Sequence, residues 1–248
     1  MANDDEFIMS NFKNFVSTRS SFITYYEMDE VQISAFNSNI MNVSRNLNPN
    51  AFPDFIGEIL DVEVFNVTSS KETSKGAQFS KDKTALEKRL EEALKLSNNP
   101  EERTKGKSFI ETLEYKDHSH DFWISSLQRN IKNHKDSRLK YSYNGKEIAF
   151  LAHYTQKVLS YKDADGVEQW HRLGADRKAL SIINSELHNL INYFILFNET
   201  NSEAEVFPIK VIPSYLKSHT LQYDFYPRED AGMICIGISD SFDPIQIH

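Results

Sequence analysis

The chain has 248 residues, with 28 Lys and Arg against 36 Asp and Glu, so its formal net charge is −8 at pH 7. A domain has roughly 100–200 residues, so this length predicts one large domain with a sizeable core. The mean hydropathy of −0.53 and the lack of an apolar run of roughly 20 residues exclude a membrane-spanning helix. The acidic balance disfavours a protein that binds nucleic acid through its whole surface, because such proteins are usually basic.

The number of cysteines indicates the cellular compartment of the protein. Cys235 is the single cysteine and lies in an apolar run, so we interpret it as a buried structural thiol rather than a nucleophile. A secreted protein of this size usually carries paired cysteines. The acidic N-terminal segment also lacks the apolar core of a signal peptide. We therefore expect a cytoplasmic protein without a membrane partner.

Hydrophobic spacing in the first third of the chain predicts two helices and then two strands. Apolar residues recur at helical spacing from Phe7 to Val16 and from Ile33 to Val43, with Asp29 as the expected N-cap of the second helix. Two strands are expected next because the segments are rich in β-branched and aromatic residues. These strands lie at 54–60 and 62–67, and they precede an exposed loop at 69–80 and a charged amphipathic helix at 83–96.

The rest of the chain continues to alternate helices with strands. This alternation predicts an α/β (α+β) fold with a mixed central sheet flanked by helices. Because no linker divides the chain, we expect a single domain at 1–248 whose later strands join the same sheet. The expected elements are helices at 121–141 and 176–187, strands at 148–152, 190–197, 206–212 and 233–238, and a turn at 163–166.

Two acidic residues lie in the predicted pair of strands. Asp54 begins the first strand, and Glu63 lies nine residues later within the second. That separation allows a tight hairpin to bring both carboxylates to one end of a sheet. Carboxylate oxygens suit Mg²⁺ and Mn²⁺, and such an ion can generate a hydroxide and stabilise charge on a phosphodiester. Asp54 and Glu63 are therefore the candidate metal ligands, and Glu30, at the start of the second helix, is a candidate third carboxylate.

The order of these motifs resembles the PD-(D/E)xK, or restriction-endonuclease-like, nuclease superfamily. The core of that family runs helix, strands, helix and strand, and the resemblance covers residues 28–155, with 156–248 as a C-terminal elaboration. In the family, a Pro-Asp carboxylate and a Glu two residues before a Lys bind the metal, and the Lys positions the nucleophilic water. Pro53-Asp54 and Glu63 match the acidic elements, but Phe65 stands where the family has the lysine. The resemblance implies a Mg²⁺- or Mn²⁺-dependent nuclease, with DNA favoured over RNA as the substrate.

A later helix is the expected source of the missing cation. Some members of the superfamily recruit the cation from such a helix, and the run from Ile131 to Tyr141 resembles it. The resemblance implies Lys135 as the substitute, orienting water and stabilising the charge that develops on the phosphate, with Gln128 as the second choice. Lys71 and Lys75, in the polar loop, are further options.

The same helix is strongly basic. Five cations and one carboxylate lie between residues 129 and 140, so the local charge is +4 in a chain of net charge −8. Such a segment suits the nucleic-acid backbone, because cations neutralise phosphates while carboxylates hold the metal. A solvated helix face is the alternative interpretation. The candidate nucleic-acid-binding residues are Arg129, Lys132, Arg138 and Lys140.

A pair of histidines is another candidate metal site in the sequence. His118 and His120 form a His-x-His pair of a kind that binds zinc when it lies on a strand. Here the pair precedes a predicted helix without a cysteine or third histidine at a supporting spacing, so a loop with Ser119 or Asp121 as the helix cap is favoured. The chain has no Gly-rich phosphate loop, dinucleotide-binding turn or nucleophile elbow.

Three functional hypotheses follow from the sequence. The first is a metal-dependent nuclease in which Glu30, Asp54, Glu63 and Lys135 form the catalytic site. The second is a nuclease-fold module that binds without catalysis, which Phe65 and the acidic net charge motivate. The third is a structural or assembly protein in which the carboxylates face solvent. A homodimer is compatible with each hypothesis.

Overall fold

The structure is a computed structural model. The residues that it describes are 4–48, 51–73, 76–77, 84–85, 88, 109–114, 118–142, 145–156, 159–199, 202–219, 223–227 and 233–238. Most of the helix predicted at 83–96 lies outside the described residues, as does Lys75. In the part of the chain that is described, no helix is both long and apolar enough to cross a membrane.

The described residues form a mixed α/β structure. The helices are α1 (Asp4–Thr18), α2 (Glu30–Asn42), α3 (His120–Lys140), α4 (Arg177–Leu187) and α5 (Ile212–Ser218). The strands of the large sheet are β1 (Ile23–Tyr25), β2 (Ser44–Arg45), β3 (Phe55–Ile56), β4 (Leu60–Val67), β8 (Glu147–Tyr154), β11 (Tyr193–Asn198) and β12 (Glu203–Pro208). The smaller sheets contain β5 (Glu72–Thr73), β6 (Gly76–Ala77), β7 (Phe109–Glu114), β9 (Leu159–Lys162), β10 (Glu168–Trp170), β13 (Tyr226–Pro227) and β14 (Met233–Ile238).

The large sheet has seven strands in the order β1-β12-β11-β8-β4-β3-β2. Its centre is parallel, because β8 pairs in parallel with both β4 and β11. Strand β3 pairs antiparallel with β2 and β4, and β12 pairs antiparallel with β11, whereas the edge strand β1 pairs in parallel with β12. Since β11 and β12 extend the sheet that begins with β2, the strand expected near 190–197 has the partner that it needs.

Side-chain alternation along β4 separates the two faces of the sheet. Leu60, Val62 and Val64 pack on one side with α1 and α2. Phe65 and Val67 pack on the other side with α3, α4 and α5. Successive residues of a strand point to opposite faces, so β4 is buried on both sides, and its face towards α3 also carries Asp61 and Glu63. The helices therefore form two layers that enclose the sheet.

The first layer contains the two helices predicted near the N-terminus. Phe12 and Phe15 of α1 contact the ring of Phe197 on β11, at centroid distances of 5.3 and 5.5 Å. Helix α2 begins where predicted, because the Asp29 side chain accepts a hydrogen bond from the Gln32 amide and Gln32 returns one to the Asp29 amide. This capping box satisfies two amides that would otherwise lack partners.

The second layer centres on α3. Its buried face has the apolar spacing that the sequence predicts. Ile124, Leu127 and Ile131 belong to the same buried hydrophobic cluster as residues of β4 and β8. The Ser119 hydroxyl accepts the Phe122 amide at 3.1 Å, so Ser119 is the N-cap, as one of the two sequence alternatives proposed.

Several predicted boundaries need correction. The strand expected at 206–212 ends at Pro208, and the chain then turns through a short 3-10 segment into α5. The strand expected from Leu190 begins at Tyr193, because the Leu190 and Ile191 amides bond to the last turn of α4 at the Leu187 carbonyl. The loop expected at 69–80 contains the short β5–β6 pair. The turn at 163–166 is confirmed, with Gly166 at a positive φ of 78°.

The two faces of α1 provide a test of this core. We expect Phe12→Ala to lower the free energy of unfolding by about 3–5 kcal/mol, because it leaves a cavity beside Phe197. Phe7→Ala on the same helix is the matched control, since Phe7 is 60% exposed, and it should change the free energy by less than about 0.5 kcal/mol. Urea unfolding measures both, and equal losses in the two variants would contradict the placement of α1.

Candidate functional site

The hairpin between β3 and β4 brings Asp54 and Glu63 together. Phe55 pairs with Val62, so the residue before Phe55 lies opposite the residue after Val62. The Asp54 amide donates to Glu63 Oε2 at 3.1 Å, and the Val64 amide donates to Asp54 Oδ2 at 2.9 Å. The nine-residue separation therefore places both acidic side chains at one hairpin end, and neither is left fully in solvent.

The electrostatics of this pair favour a bound proton or cation. Burial raises the pKa of Asp54, and the neighbouring Glu63 carboxylate raises it further, to about 6. The Val64 amide, His134 and Arg45 oppose this rise without cancelling it. Two partly buried carboxylates repel each other when both are ionised, so a positive ligand between them would relieve that repulsion.

A third carboxylate approaches the pair from α1. The pKa of Asp5 is raised first by burial and then by Asp54, which places the two carboxylates within electrostatic range of each other. Asp5 also lies 3.8 Å from Arg45 Nη1. Glu30, the third carboxylate predicted from the sequence, is exposed on the first turn of α2 and makes no hydrogen bond or ion pair with Asp54 or Glu63 among the described residues. We refer to Asp5, Asp54, Glu63 and His134 as the acidic cluster.

His134 supplies the imidazole of this cluster from α3. Its Nδ1 lies 2.5 Å from Glu63 Oε1. Its ring stacks on Phe65, with centroids 4.9 Å apart and ring planes inclined by 23°. Phe65 belongs to the buried cluster under α3, where it also contacts Phe150 edge-on. Phe65, at the position where the resemblance expects a lysine, is thus a core aromatic that stacks on the histidine beside Glu63.

The predicted cation, Lys135, lies in a different contact. Its Nζ donates to Glu186 Oε2 at 2.8 Å, joining α3 to α4, and it does not bond to Asp54 or Glu63. Arg138 is likewise used inside the fold, because its Nε donates to the Leu190 carbonyl at 2.8 Å. The remaining predicted basic residues are exposed on α3. These exposed basic residues are Arg129, Lys132 and Lys140. Two of the alternative candidates for the missing cation, Gln128 on α3 and Lys71 beyond β4, are exposed as well.

A second cluster lies at the N-terminal end of α3. His120 Nε2 is 2.6 Å from Asp176 Oδ2, and His171 Nε2 is 3.0 Å from the same oxygen. One ligand atom from each of the three residues lies within 4.8 Å of the others, and among the described residues this is the group of three such side chains that is close enough together to share one metal ion. We call His120, His171 and Asp176 the histidine–aspartate cluster.

Asp176 is held in its ionised form by its neighbours. Burial acts to raise the pKa of Asp176, but the hydrogen bonds from His120 and His171 outweigh it and hold the pKa well below its ordinary range. Its second oxygen accepts the Ala179 amide at 2.9 Å and so caps α4. His120 and Asp176 also line an open cavity of about 780 Å³.

The two members of the sequence's His-x-His pair take separate partners. His120 points to Asp176, whereas His118 Nδ1 lies 2.8 Å from the buried Ser69 hydroxyl. The third histidine of the cluster, His171, follows β10 and lies 51 residues further along the chain than His120. No local spacing in the sequence connects these two residues.

No protein-family model, curated protein or solved structure matches this chain. The function is therefore inferred from the geometry of the chain itself.

Asp54 predicts a pH dependence of stability. Its pKa in the folded chain, about 6, exceeds the ordinary 3.8. The proton therefore stabilises the fold, and that contribution is lost as the pH rises from about 4 through about 6. In chelator-treated protein, Asp54→Asn should raise the melting temperature by a few degrees at about pH 8 and leave it unchanged at about pH 4.

Asp136→Asn is the matched control, because Asp136 is exposed on α3. It should leave the melting temperature unchanged at both pH values. A melting temperature that falls at alkaline pH in Asp54→Asn would show that the ionised carboxylate stabilises the fold, which contradicts a raised pKa at Asp54.

Proposed function

We propose that this chain is a divergent metal-dependent nuclease that hydrolyses phosphodiester bonds, with DNA favoured over RNA as its substrate. The observation that carries the proposal is the acidic cluster, in which Asp54 and Glu63 meet at a hairpin end and His134 contacts Glu63. A paired carboxylate site with an adjacent imidazole supplies the oxygen ligands and the base that metal-assisted hydrolysis requires.

The order of elements around the cluster supports the proposal. Helix α2 is followed by strands β2, β3 and β4 of the large sheet, then by the short strands β5, β6 and β7 of the smaller sheets, and then by helix α3 and strand β8. This is the helix, strands, helix, strand order that the resemblance to the PD-(D/E)xK superfamily implies. Asp54 directly precedes β3 and Glu63 lies within β4, so both stand at the positions that the resemblance assigns to metal ligands.

Asp54 and Glu63 fit a hard divalent cation such as Mg²⁺ or Mn²⁺. Each carboxylate oxygen has two acceptor positions, so the hydrogen bonds from the Asp54 and Val64 amides leave room for a cation. Asp5 adds negative charge nearby. When bound, the metal would lower the pKa of a coordinated water and neutralise charge on the phosphate.

His134 takes the part that the resemblance gave to a lysine. An ionised Glu63 can only accept, so His134 Nδ1 carries the proton of their hydrogen bond and Nε2 keeps its lone pair. Nε2 is then free to receive a proton from the attacking water, and Glu63 stabilises the imidazolium that results. Stacking on Phe65 fixes the plane of the ring for this transfer.

The exposed basic residues of α3 would hold the substrate backbone. Arg129, Lys132 and Lys140 lie on the helix that carries His134. Lysine and arginine contacts to phosphate position a nucleic acid without reading its sequence. The proposal therefore includes no sequence preference.

Plasmid cleavage in the presence of Mn²⁺ or Mg²⁺ tests the proposal. We expect cleavage by the wild-type chain and a loss of at least about 100-fold in rate for both Glu63→Gln and His134→Ala, because one removes a metal ligand and the other the base. Glu30→Gln and Lys135→Met are the matched controls and should retain the wild-type rate.

Three outcomes would contradict parts of the proposal, and the first and third would count against the nuclease assignment itself. Cleavage that persists in Glu63→Gln would indicate a contaminant or another site. Loss in Lys135→Met without loss in His134→Ala would return the cationic role to Lys135. Binding of DNA by the wild-type chain in fluorescence anisotropy, without metal-dependent cleavage, would favour the inactive binding module.

A further inference from the structure

The histidine–aspartate cluster is separate from the acidic cluster. His120 and His134 are fourteen residues apart on α3, which corresponds to about 21 Å along a helix that rises 1.5 Å per residue. No residue belongs to both clusters. The two groups therefore need separate explanations.

We propose that His120, His171 and Asp176 form a second metal site, which takes a transition-metal ion of the zinc class and leaves one coordination position open. The donor set differs from that of the acidic cluster. Two imidazole nitrogens and one carboxylate suit Zn²⁺ or Co²⁺, whereas sites built from oxygen ligands suit Mg²⁺ and Mn²⁺.

The three ligands are delivered by rigid elements. His120 is the first residue of α3, and Asp176 is the N-cap of α4. His171 is tied to β9 by its own amide, which donates to the Leu159 carbonyl at 2.9 Å. A bound ion would thus join the starts of two helices to the small sheet.

The spacing of the donor atoms is close to what a tetrahedral ion requires. Zn²⁺ bonds of about 2.0–2.1 Å separate adjacent ligand atoms by about 3.3 Å. The Nε2 atoms of His120 and His171 lie 2.6 and 3.0 Å from Asp176 Oδ2. Each imidazole therefore needs to withdraw by less than about 1 Å for an ion to replace the shared hydrogen bonds.

The tautomer of His171 is not fixed by an outer partner. Its side chain is 2% exposed, and its Nδ1 has no hydrogen-bond partner among the described residues. The hydrogen bond to the ionised Asp176 keeps the proton on Nε2 in this structure, so an ion that bonds to Nε2 requires the proton to move to Nδ1. Nδ1 can take that proton without breaking another hydrogen bond among the described residues. Aromatic rings hold both imidazoles, since Phe225 contacts His120 and His171 at centroid distances of 4.5 and 4.9 Å.

The open position faces the 780 Å³ cavity that His120 and Asp176 line. Arg177 and Lys178 also line this cavity, and the N-terminal end of α4 carries them. Three protein ligands with a vacant fourth position are typical of zinc sites that hold a water or a small ligand.

Metal titration of the full, chelator-treated chain tests the site. We expect one equivalent of Zn²⁺ to bind in calorimetry and Co²⁺ to give the visible absorption of a nitrogen-ligated ion. In His120→Gln both affinities should fall by at least about 10-fold, which is the smallest loss typical of disturbing a metal site. His120 is chosen because its side chain lies at the cavity rim, 15% exposed, where substitution preserves the core.

Two controls separate this site from other metal-binding residues. His188→Gln changes an exposed histidine at the opposite end of α4, and Glu63→Gln changes the acidic cluster. Both variants should keep the Co²⁺ spectrum and the Zn²⁺ affinity of the wild type.

A variant-free measurement completes the test. Nitrogen NMR of the wild-type histidines should show Zn²⁺-induced shifts at the Nε2 atoms of two residues. Failure of the wild type to bind Zn²⁺, or a His120→Gln variant with unchanged Zn²⁺ affinity, would overturn the proposal. Neither result would bear on cleavage by the acidic cluster.

Discussion

The docking of α3 on the central sheet is the contact on which both candidate sites depend. Trp123, Ile124, Leu127 and Ile131 bury one face of this helix against β4 and β8. Hydrophobic burial of this kind is non-directional, so it fixes the helix on the sheet without specifying chemistry. The chemistry lies at the two ends of the buried stripe, where His120 meets Asp176 and His134 meets Glu63.

Burying acidic groups beneath this helix has an energetic cost that the fold offsets locally. Asp61 and Glu63 lie on the face of β4 that α3 covers, and both are almost fully buried. Asp61 accepts from the Gly57 amide and the Tyr141 hydroxyl, which satisfies both of its oxygens. The pKa of Asp54, beside Glu63, is raised first by burial and then by repulsion from the Glu63 carboxylate. Such a perturbed group is more typical of a functional site than of a purely structural one.

Much of the fold could be predicted from the sequence because it depends on local patterns. The caps at Asp29 and Ser119, the apolar face of α3 and the strand at 233–238 each follow from residues close in sequence. The errors arose where tertiary contacts override local preference. Pro208 ends β12 in an apolar run that resembles a longer strand, and the last turn of α4 holds the residues before Tyr193.

The candidate sites could be predicted only in part. Asp54 and Glu63 were found because a hairpin joins them, whereas His134 and Lys135 are neighbours whose roles depend on the rotation of α3. Sequence cannot fix that rotation to within one residue, and Phe65 was interpreted as a missing lysine rather than as a platform for His134. His171 was missed altogether because it reaches His120 only through the tertiary fold.

The most direct test of the central claim is anomalous diffraction from crystals soaked in Mn²⁺. We expect a manganese peak bonded to carboxylate oxygens of both Asp54 and Glu63, at ligand distances of about 2.0–2.6 Å for a hard divalent ion. The peak should disappear in Glu63→Gln crystals soaked in the same way. A wild-type crystal with manganese bound elsewhere and none between these two carboxylates would contradict the claim that they form the catalytic metal site.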